Sequence, residues 1–200
     1  MAEIAARPTY QQMVEGGVRF TDMGAQVAGR EEAFMSNLAE RFPVIGRAVA
    51  ASSRSYTGFL NVLRADAFDY YLKMVEKGGK YEVDDPHLLK SLGEWVSTAT
   101  GRGTIKSLED NMVALNVGLF APRLIASRLQ LLNPQFYYRL HPYARRQALR
   151  GMAQLLGGIS LTLWLAKLNG AEVVMDPRNS DFGKIKVGDT RVDIAGGFQQ

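Results

Sequence analysis

Residues 43–79, PVIGRAVAASSRSYTGFLNVLRADAFDYYLKMVEKGG, carry an apolar side chain at nearly every third or fourth position. This spacing places the apolar side chains on one face of an α-helix. Pro43 suits a first helical turn, and the Gly78-Gly79 pair is typical of a helix end. The stripe expected to face the core is Ile45, Val49, Ser52, Tyr56, Phe59, Leu63, Ala67, Tyr70 and Met74. Arg64 lies off that stripe, so the stretch predicts one long amphipathic helix.

Proline and glycine residues mark further helix starts and ends. Asp85 is a good N-cap before Pro86, which suits the first helical position, and Gly101 is typical of the end. The apolar stripe predicted for this helix is Leu88, Leu92, Trp95 and Ala99. The other predicted helices are two weaker ones before residue 42, one over residues 108–120, one over residues 122–132 and one that starts at Pro142. The predicted fold class is therefore mainly α, with about six to seven helices.

The last part of the chain changes to the alternating pattern of β-strands. Residues 184–187 and 190–194 alternate between apolar and polar side chains, and Gly188-Asp189 is a two-residue turn that hairpins favour. The predicted cross-strand pairs are Ile185 with Val192 and Lys184 with Asp193. We therefore predict a small C-terminal β-hairpin.

The tripeptide Asp181-Phe182-Gly183 comes just before this hairpin and is the one that holds magnesium in protein kinases. A kinase also needs a glycine-rich phosphate loop, a strand lysine and a His-Arg-Asp loop, and the sequence contains none of these. We therefore interpret the tripeptide as structural. Asp181 is expected to cap or turn the chain, and Phe182 is expected to pack.

Three segments follow from these patterns. Residues 1–42 are predicted to form an N-terminal helical extension, residues 43–170 a helical domain, and residues 171–200 a β-hairpin appendage that we expect to be truncated. Of the 200 residues, 46% are apolar, which is enough for one sizeable core.

The sequence offers no catalytic, metal-binding or cofactor-binding set. It has no cysteine, so disulfides, thiolate ligands and thiol nucleophiles are excluded. His87 and His141 are the only histidines, and each adjoins a proline at a helix start. We interpret both as capping or surface residues. The expected function is therefore non-enzymatic, without a cofactor.

Positive charge is concentrated in residues 101–170, which hold 9 basic and 2 acidic side chains, a net charge of +7. Such a block is a candidate contact for nucleic acid or for an acidic partner surface. The candidate contact residues are Arg123, Arg128, Arg139, Arg145, Arg146 and Arg150, with Phe136, Tyr137 and Tyr138 as stacking groups. The alternative interpretation is a solvated helical face.

An uncharged run begins at Gly151 and ends at Ala166, between Arg150 and Lys167. As a helix it would be about 24 Å long, shorter than the ~30 Å hydrocarbon core of a bilayer. A buried core helix is the favoured interpretation, because the Gly157-Gly158 pair permits close helix packing. Insertion into a membrane is the alternative.

Three stretches together carry a resemblance to a known family. They are ATGRGTIKSLEDN, GLFAPRLIASRLQLLNPQFYYRL and LAKLNGAEVVMDPRNSDFGKIKVGDTRVDIAGGFQQ. They resemble a large polyvalent-protein-associated domain, found in very large phage and prophage proteins that travel with the DNA into a new host. The resemblance covers roughly residues 44–200. The most specific motif residues include Asp176, Pro177, Asp181, Phe182, Gly183, Gly188 and Asp189, and the motif continues to the final Gly-Gly-Phe-Gln-Gln.

The resemblance implies a structural or interaction module of a phage virion-associated or DNA-co-injected protein. Its expected partners are other segments or subunits of a phage protein assembly, with DNA or a membrane as alternatives. The expected location is the virion or the bacterial host cytoplasm, since the first residues do not resemble a secretion signal. Similar proteins continue beyond the glutamine pair, so the chain is expected to be a fragment, a truncated relative or one product of a longer precursor. We also expect it to be oligomeric or part of a larger protein.

Overall fold

The structure, a computed structural model, describes residues 1–21, 45–104 and 122–195. These residues form seven helices and a small antiparallel sheet, so the predicted mainly α class is confirmed. The helices are α1 (Ala2–Ala5), α2 (Tyr10–Glu15), α3 (Ile45–Gly78), α4 (Pro86–Ala99), α5 (Pro122–Leu132), α6 (Pro134–Arg139) and α7 (Pro142–Leu168). The strands are β1 (Glu172–Val173), β2 (Lys184–Val187) and β3 (Thr190–Asp193). The predicted helix over residues 108–120 and the last five residues of the C-terminal motif lie outside the described residues.

The chain divides into two compact units, Met1–Arg145 and Arg146–Gln200. The division falls inside α7, whereas the sequence placed a boundary between residues 170 and 171, which lies within the second unit. The other predicted boundary, between residues 42 and 43, lies outside the described residues.

Helix α4 is the buried centre of the first unit. Nine of its 14 residues are buried, including Leu88, Leu92 and Trp95 of the predicted stripe, although Ala99 is exposed. Helix α2 approaches it closely, because a Cβ at Gly93 would lie only 2.0 Å from the carbonyl oxygen of Gly16. Helix α4 is therefore covered by other parts of the first unit over most of its surface.

Helix α3 has the predicted end but the opposite buried face. It ends at Gly78, and Gly79 follows with a left-handed φ of 59°. From Ser52 to Met74 the predicted core stripe faces mainly outward, so that prediction is wrong there: Phe59 is 63% exposed, whereas Phe68 is 0% exposed. The side chains of Ile45 and Val49 lie outside the described part of the structure. Among the described side chains of α3, the buried ones are Thr57, Asn61, Arg64, Ala65, Phe68, Leu72 and Val75.

Hydrogen bonds explain how α3 buries polar side chains. Asn61 Nδ2 donates to the carbonyl oxygen of Thr21 at 2.7 Å, and Asn61 Oδ1 accepts from the Thr21 N–H at 2.9 Å. The Arg64 guanidinium donates to the Thr100 hydroxyl at 3.0 Å and to the Thr100 carbonyl oxygen at 3.1 Å. Because buried polar groups are tolerated when they are bonded, this face packs inward despite its composition.

The second unit contains a three-stranded antiparallel sheet in the order β1-β2-β3. The hairpin register is as predicted, with Ile185 opposite Val192 and Lys184 opposite Asp193. Gly188 has a φ of 59°, which the two-residue turn requires. Strand β1 pairs with β2 and was not predicted, because two residues are too few for an alternating pattern.

Candidate functional site

Helix α7 combines length, low charge and exposure. Its 27 residues span about 40 Å and include no Asp or Glu. At its end, the Asn169 side chain donates to the carbonyl oxygen of Leu165 at 2.8 Å, and Gly170 follows with a φ of 84°. The helix therefore has a defined C-terminal end, where some of its last carbonyl groups accept hydrogen bonds.

The apolar segment of α7 (residues 151–166) is exposed, so the prediction of a buried core helix is wrong. Leu161 is 55% exposed and Trp164 is 56% exposed, and the most apolar 18-residue window of the helix has no buried residue. A Cβ added at Gly157 or Gly158 would meet no atom within 4 Å, so these glycines are not at a close helix contact. By length and composition, α7 is the one helix in the described parts of the chain that can cross a membrane.

The few polar side chains in the apolar segment do not form a polar face. Gln154, Ser160 and Thr162 point in three different directions, because successive residues turn by about 100° around the helix. The Thr162 hydroxyl donates to the carbonyl oxygen of Gly158 at 2.8 Å, so the helix itself satisfies this group. The segment is therefore apolar on all sides.

Exposed cations flank the apolar segment within the second unit. Arg146 and Arg150 lie before it and Lys167 lies after it, and all three are exposed. Among contacts between described residues, none engages the Arg146 or Arg150 side chain. The segment thus has a cationic group near each end.

The adjacent Arg145 belongs to the first unit and has a different role. Its guanidinium donates to the carbonyl oxygens of Tyr137, Tyr138 and Leu140 at 3.0, 2.9 and 3.2 Å. These carbonyls lie at the end of α6, where a cation is favourable. Arg145 therefore stabilises the junction between α6 and α7.

The other candidate contact arginines also lie in the first unit. Arg123 and Arg128 are half-buried on α5, and burial, together with nearby Arg19, lowers the pKa of Arg123. Arg139 is exposed and lies 3.7 Å from a carboxylate oxygen of Glu94. The six predicted contact residues are thus divided between two units, four in the first and two in the second. Their contact with nucleic acid or an acidic partner stays a prediction.

Of the three predicted stacking rings, Tyr138 is exposed. Phe136 is buried, and the Tyr137 hydroxyl donates to the carbonyl oxygen of Leu131 at 2.7 Å. Two of the rings therefore support the local fold of α5 and α6.

The two histidines lie together in the first unit, a proximity that the sequence did not indicate. Their ring centroids are 5.6 Å apart, and His141 Nε2 lies 3.7 Å from Asp85 Oδ2. His87 is exposed as predicted, whereas His141 is buried and its backbone N–H donates to the Ser91 hydroxyl at 2.8 Å. Burial lowers the pKa of His141, with Asp85 opposing and His87 adding to the effect. Within the described ranges, no group of three or more His, Asp or Glu can hold a metal ion.

Asp181 lies at the centre of the C-terminal motif. Its carboxylate accepts from Lys184 Nζ at 3.0 Å and from the Arg191 guanidinium. The Lys184 hydrogen bond lowers the pKa of Asp181, burial opposes this, and Arg191 adds to it. Arg191 is on β3, so Asp181 ties the preceding turn to the hairpin.

The rest of the motif forms turns before and within the hairpin. Asp176 accepts from the Arg178 N–H at 3.0 Å, and the Gly183 N–H donates to the carbonyl oxygen of Val174 at 2.8 Å. Gly183 has a φ of 71°, a left-handed conformation that favours glycine. Phe182 is half-buried, and Pro177 and Asp189 are exposed in turns.

The exposed helix α7 is the described feature that most directly indicates a function. No family model, curated protein or solved structure matches the chain significantly. Chemically, the apolar segment offers a largely exposed, uncharged surface with a cationic group near each end, which suits association with an apolar environment bounded by polar or anionic groups.

Proposed function

We propose that the protein is a non-enzymatic module of a phage virion-associated or DNA-co-injected protein, and that it acts by inserting the apolar segment of α7 into a membrane. The observation that carries membrane insertion is that this uncharged segment has no buried residue and that most of its side chains are exposed. The phage context rests on the resemblance around Asp181 and Gly188.

Exposure of this segment to water is energetically unfavourable. Leu156, Leu161 and Leu165 are each about half exposed. Full burial of one such side chain contributes about 1.5–3 kcal/mol, so transfer of the segment to lipid would contribute several kcal/mol. A protein partner on one side would leave the other sides in water, whereas lipid covers the whole helix.

The flanking cations allow the short apolar segment to span a bilayer. The uncharged residues alone span about 24 Å, less than the ~30 Å hydrocarbon core. From Arg146 to Lys167 the helix rises by about 31 Å. Long cationic side chains extend towards the headgroups while their stems stay in the apolar layer, so they offset the difference.

Liposome flotation of the full chain tests this proposal. We expect the protein to float with vesicles, and Leu161→Asp to abolish flotation because a charge near the centre of a spanning helix is unfavourable by about 2.5–3.5 kcal/mol. Leu63→Asp is the matched control, because Leu63 is also an exposed leucine but lies on α3. Equal flotation of Leu161→Asp and the unmodified protein would refute the proposal.

A second candidate is a structural module that binds other subunits through the outer stripe of α3. The observation that favours it is the exposure of Tyr56, Phe59 and Tyr70 on one helical face. Large exposed apolar patches often mark protein interfaces. If Leu63→Asp prevents self-association or co-sedimentation with phage proteins while flotation is unchanged, this candidate is favoured over insertion as the main function.

A further inference from the structure

We infer that the membrane bound by α7 is anionic, and that Arg146, Arg150 and Lys167 bind acidic phospholipid headgroups. This inference rests on the proposed insertion of the apolar segment. It adds the chemical class of the lipid and the residues that select it.

Charge complementarity along the whole of α7 supports an anionic partner. The helix carries cations at Arg145, Arg146, Arg150 and Lys167 and has no acidic residue. Insertion into a neutral membrane would not require all the charged residues of the helix to be positive. Each Lys or Arg near an anionic leaflet contributes about 1 kcal/mol, so three free cations give a marked preference for acidic lipid.

The two arginines are placed to act together. Arg146 and Arg150 are four residues apart, so they lie about 6 Å apart along the axis and on one side of the helix. Both are exposed, and no described contact engages either guanidinium. A guanidinium donates two parallel hydrogen bonds to a phosphate, which suits a phospholipid headgroup.

The opposite end of the apolar segment has the features of a membrane interface. Lys167 is exposed and lies about 26 Å along the axis from Arg150, near the opposite boundary of the hydrocarbon layer. Trp164 precedes it by three residues and is exposed. Tryptophan is enriched at the headgroup level of membranes, so Trp164 and Lys167 mark the second boundary.

Flotation with two kinds of vesicle separates this inference from the proposed function. The full chain is mixed with vesicles of phosphatidylcholine alone, or with vesicles in which part of it is replaced by phosphatidylglycerol. We expect about five-fold tighter binding to the anionic vesicles for each of the three cations, about 100-fold in total, at low salt. The preference should weaken as salt is added, because salt screens exposed charges.

The decisive variant is Arg146→Gln/Arg150→Gln, and Arg145→Gln is its matched control. The double variant should lose about 25-fold of its affinity for anionic vesicles and keep its affinity for phosphatidylcholine. Arg145→Gln should keep the anionic preference, because Arg145 binds carbonyl groups within the protein. Circular dichroism checks that each variant is folded.

Each remaining outcome has a distinct meaning. Equal binding of the unmodified protein to both kinds of vesicle overturns the inference but leaves insertion standing. Binding to neither overturns the proposed function and the inference together. If the double variant binds anionic vesicles normally but loses binding to duplex DNA, the two arginines serve nucleic acid and the inference is wrong.

Discussion

Gly93 lies where α4 packs against the end of α2, and Gly157 lies in the exposed part of α7. A Cβ at Gly93 would lie 2.0 Å from the Gly16 carbonyl oxygen, whereas a Cβ at Gly157 would meet nothing within 4 Å. Alanine is favoured over glycine by about 1 kcal/mol within a helix, so local context should decide the sign of each substitution. The two glycines look equivalent in sequence, and only the fold distinguishes them.

We predict that Gly93→Ala lowers the free energy of unfolding of the first unit by about 1–3 kcal/mol, because the added methyl group forces α2 and α4 apart. Gly157→Ala should instead stabilise α7 by up to about 1 kcal/mol. Urea unfolding measures both effects, followed by Trp95 fluorescence in a Trp164→Phe background for the first unit and by Trp164 fluorescence in a Trp95→Phe background for α7. A Gly93→Ala protein as stable as the unmodified one would show that α2 does not pack against α4 as described.

The buried His141 predicts a pH dependence for the first unit. Burial lowers its folded pKa below the unfolded value of about 6.5, although Asp85 opposes this. The unfolded chain therefore binds the proton more readily, so stability is fully present above about pH 6.5 and decreases as the pH falls below it. His141→Gln should flatten the dependence of the urea midpoint on pH in this window. If the stability of that variant decreases equally as the pH falls, groups other than His141 cause the pH dependence.

The periodicity of α3 predicts that a helix forms but does not predict which face is buried. Like the N-cap of α4 at Asp85, the end of α3 at Gly78 could be predicted, because each depends on neighbouring residues. Its buried face could not be predicted, because both faces have helical spacing and the outer face is the more apolar. The inner face becomes favourable only when Asn61 and Arg64 meet partners far along the chain. The hairpin register was predictable because the turn and the alternation agree.

A matched pair of substitutions tests the orientation of α3. We predict that Phe68→Ala destabilises the first unit by about 3–5 kcal/mol, because the ring is fully buried. Phe59→Ala should change the free energy of unfolding by less than about 0.5 kcal/mol, because the ring faces outward. Thermal and urea unfolding provide both values. A larger loss for Phe59→Ala would restore the face that the sequence predicted.

At the scale of the whole molecule, the largest difference between the sequence-based prediction and the structure is the exposure of the apolar segment of α7. Apolar composition indicates that a segment avoids water, but it does not specify whether protein or lipid covers it. In the first unit the buried central helix is α4, whereas the apolar segment of α7 is exposed. The sequence therefore identified residues 151–166 as an uncharged segment, but the prediction that other helices bury it was wrong. The flanking Arg146 and Arg150 are predicted from the sequence as contacts for nucleic acid or an acidic partner surface, and this stays a prediction.

The exposure of α7 also predicts how its variants behave without membranes. Leu161→Asp should remain folded in plain buffer, because Leu161 is 55% exposed and a charge there stays in water. Circular dichroism and the thermal unfolding midpoint should match those of the unmodified protein. Loss of the folded state in this variant would show that the segment is covered by protein in solution.

Depth-dependent quenching of Trp164 tests membrane insertion most directly. The chain has two tryptophans, so Trp95→Phe leaves Trp164 as the single reporter. In vesicles that contain brominated lipids, we predict a blue-shifted Trp164 emission that is quenched most by bromines near the headgroup level, with protection from iodide in the water. Emission that is unchanged by vesicles and fully accessible to iodide would contradict membrane insertion by α7.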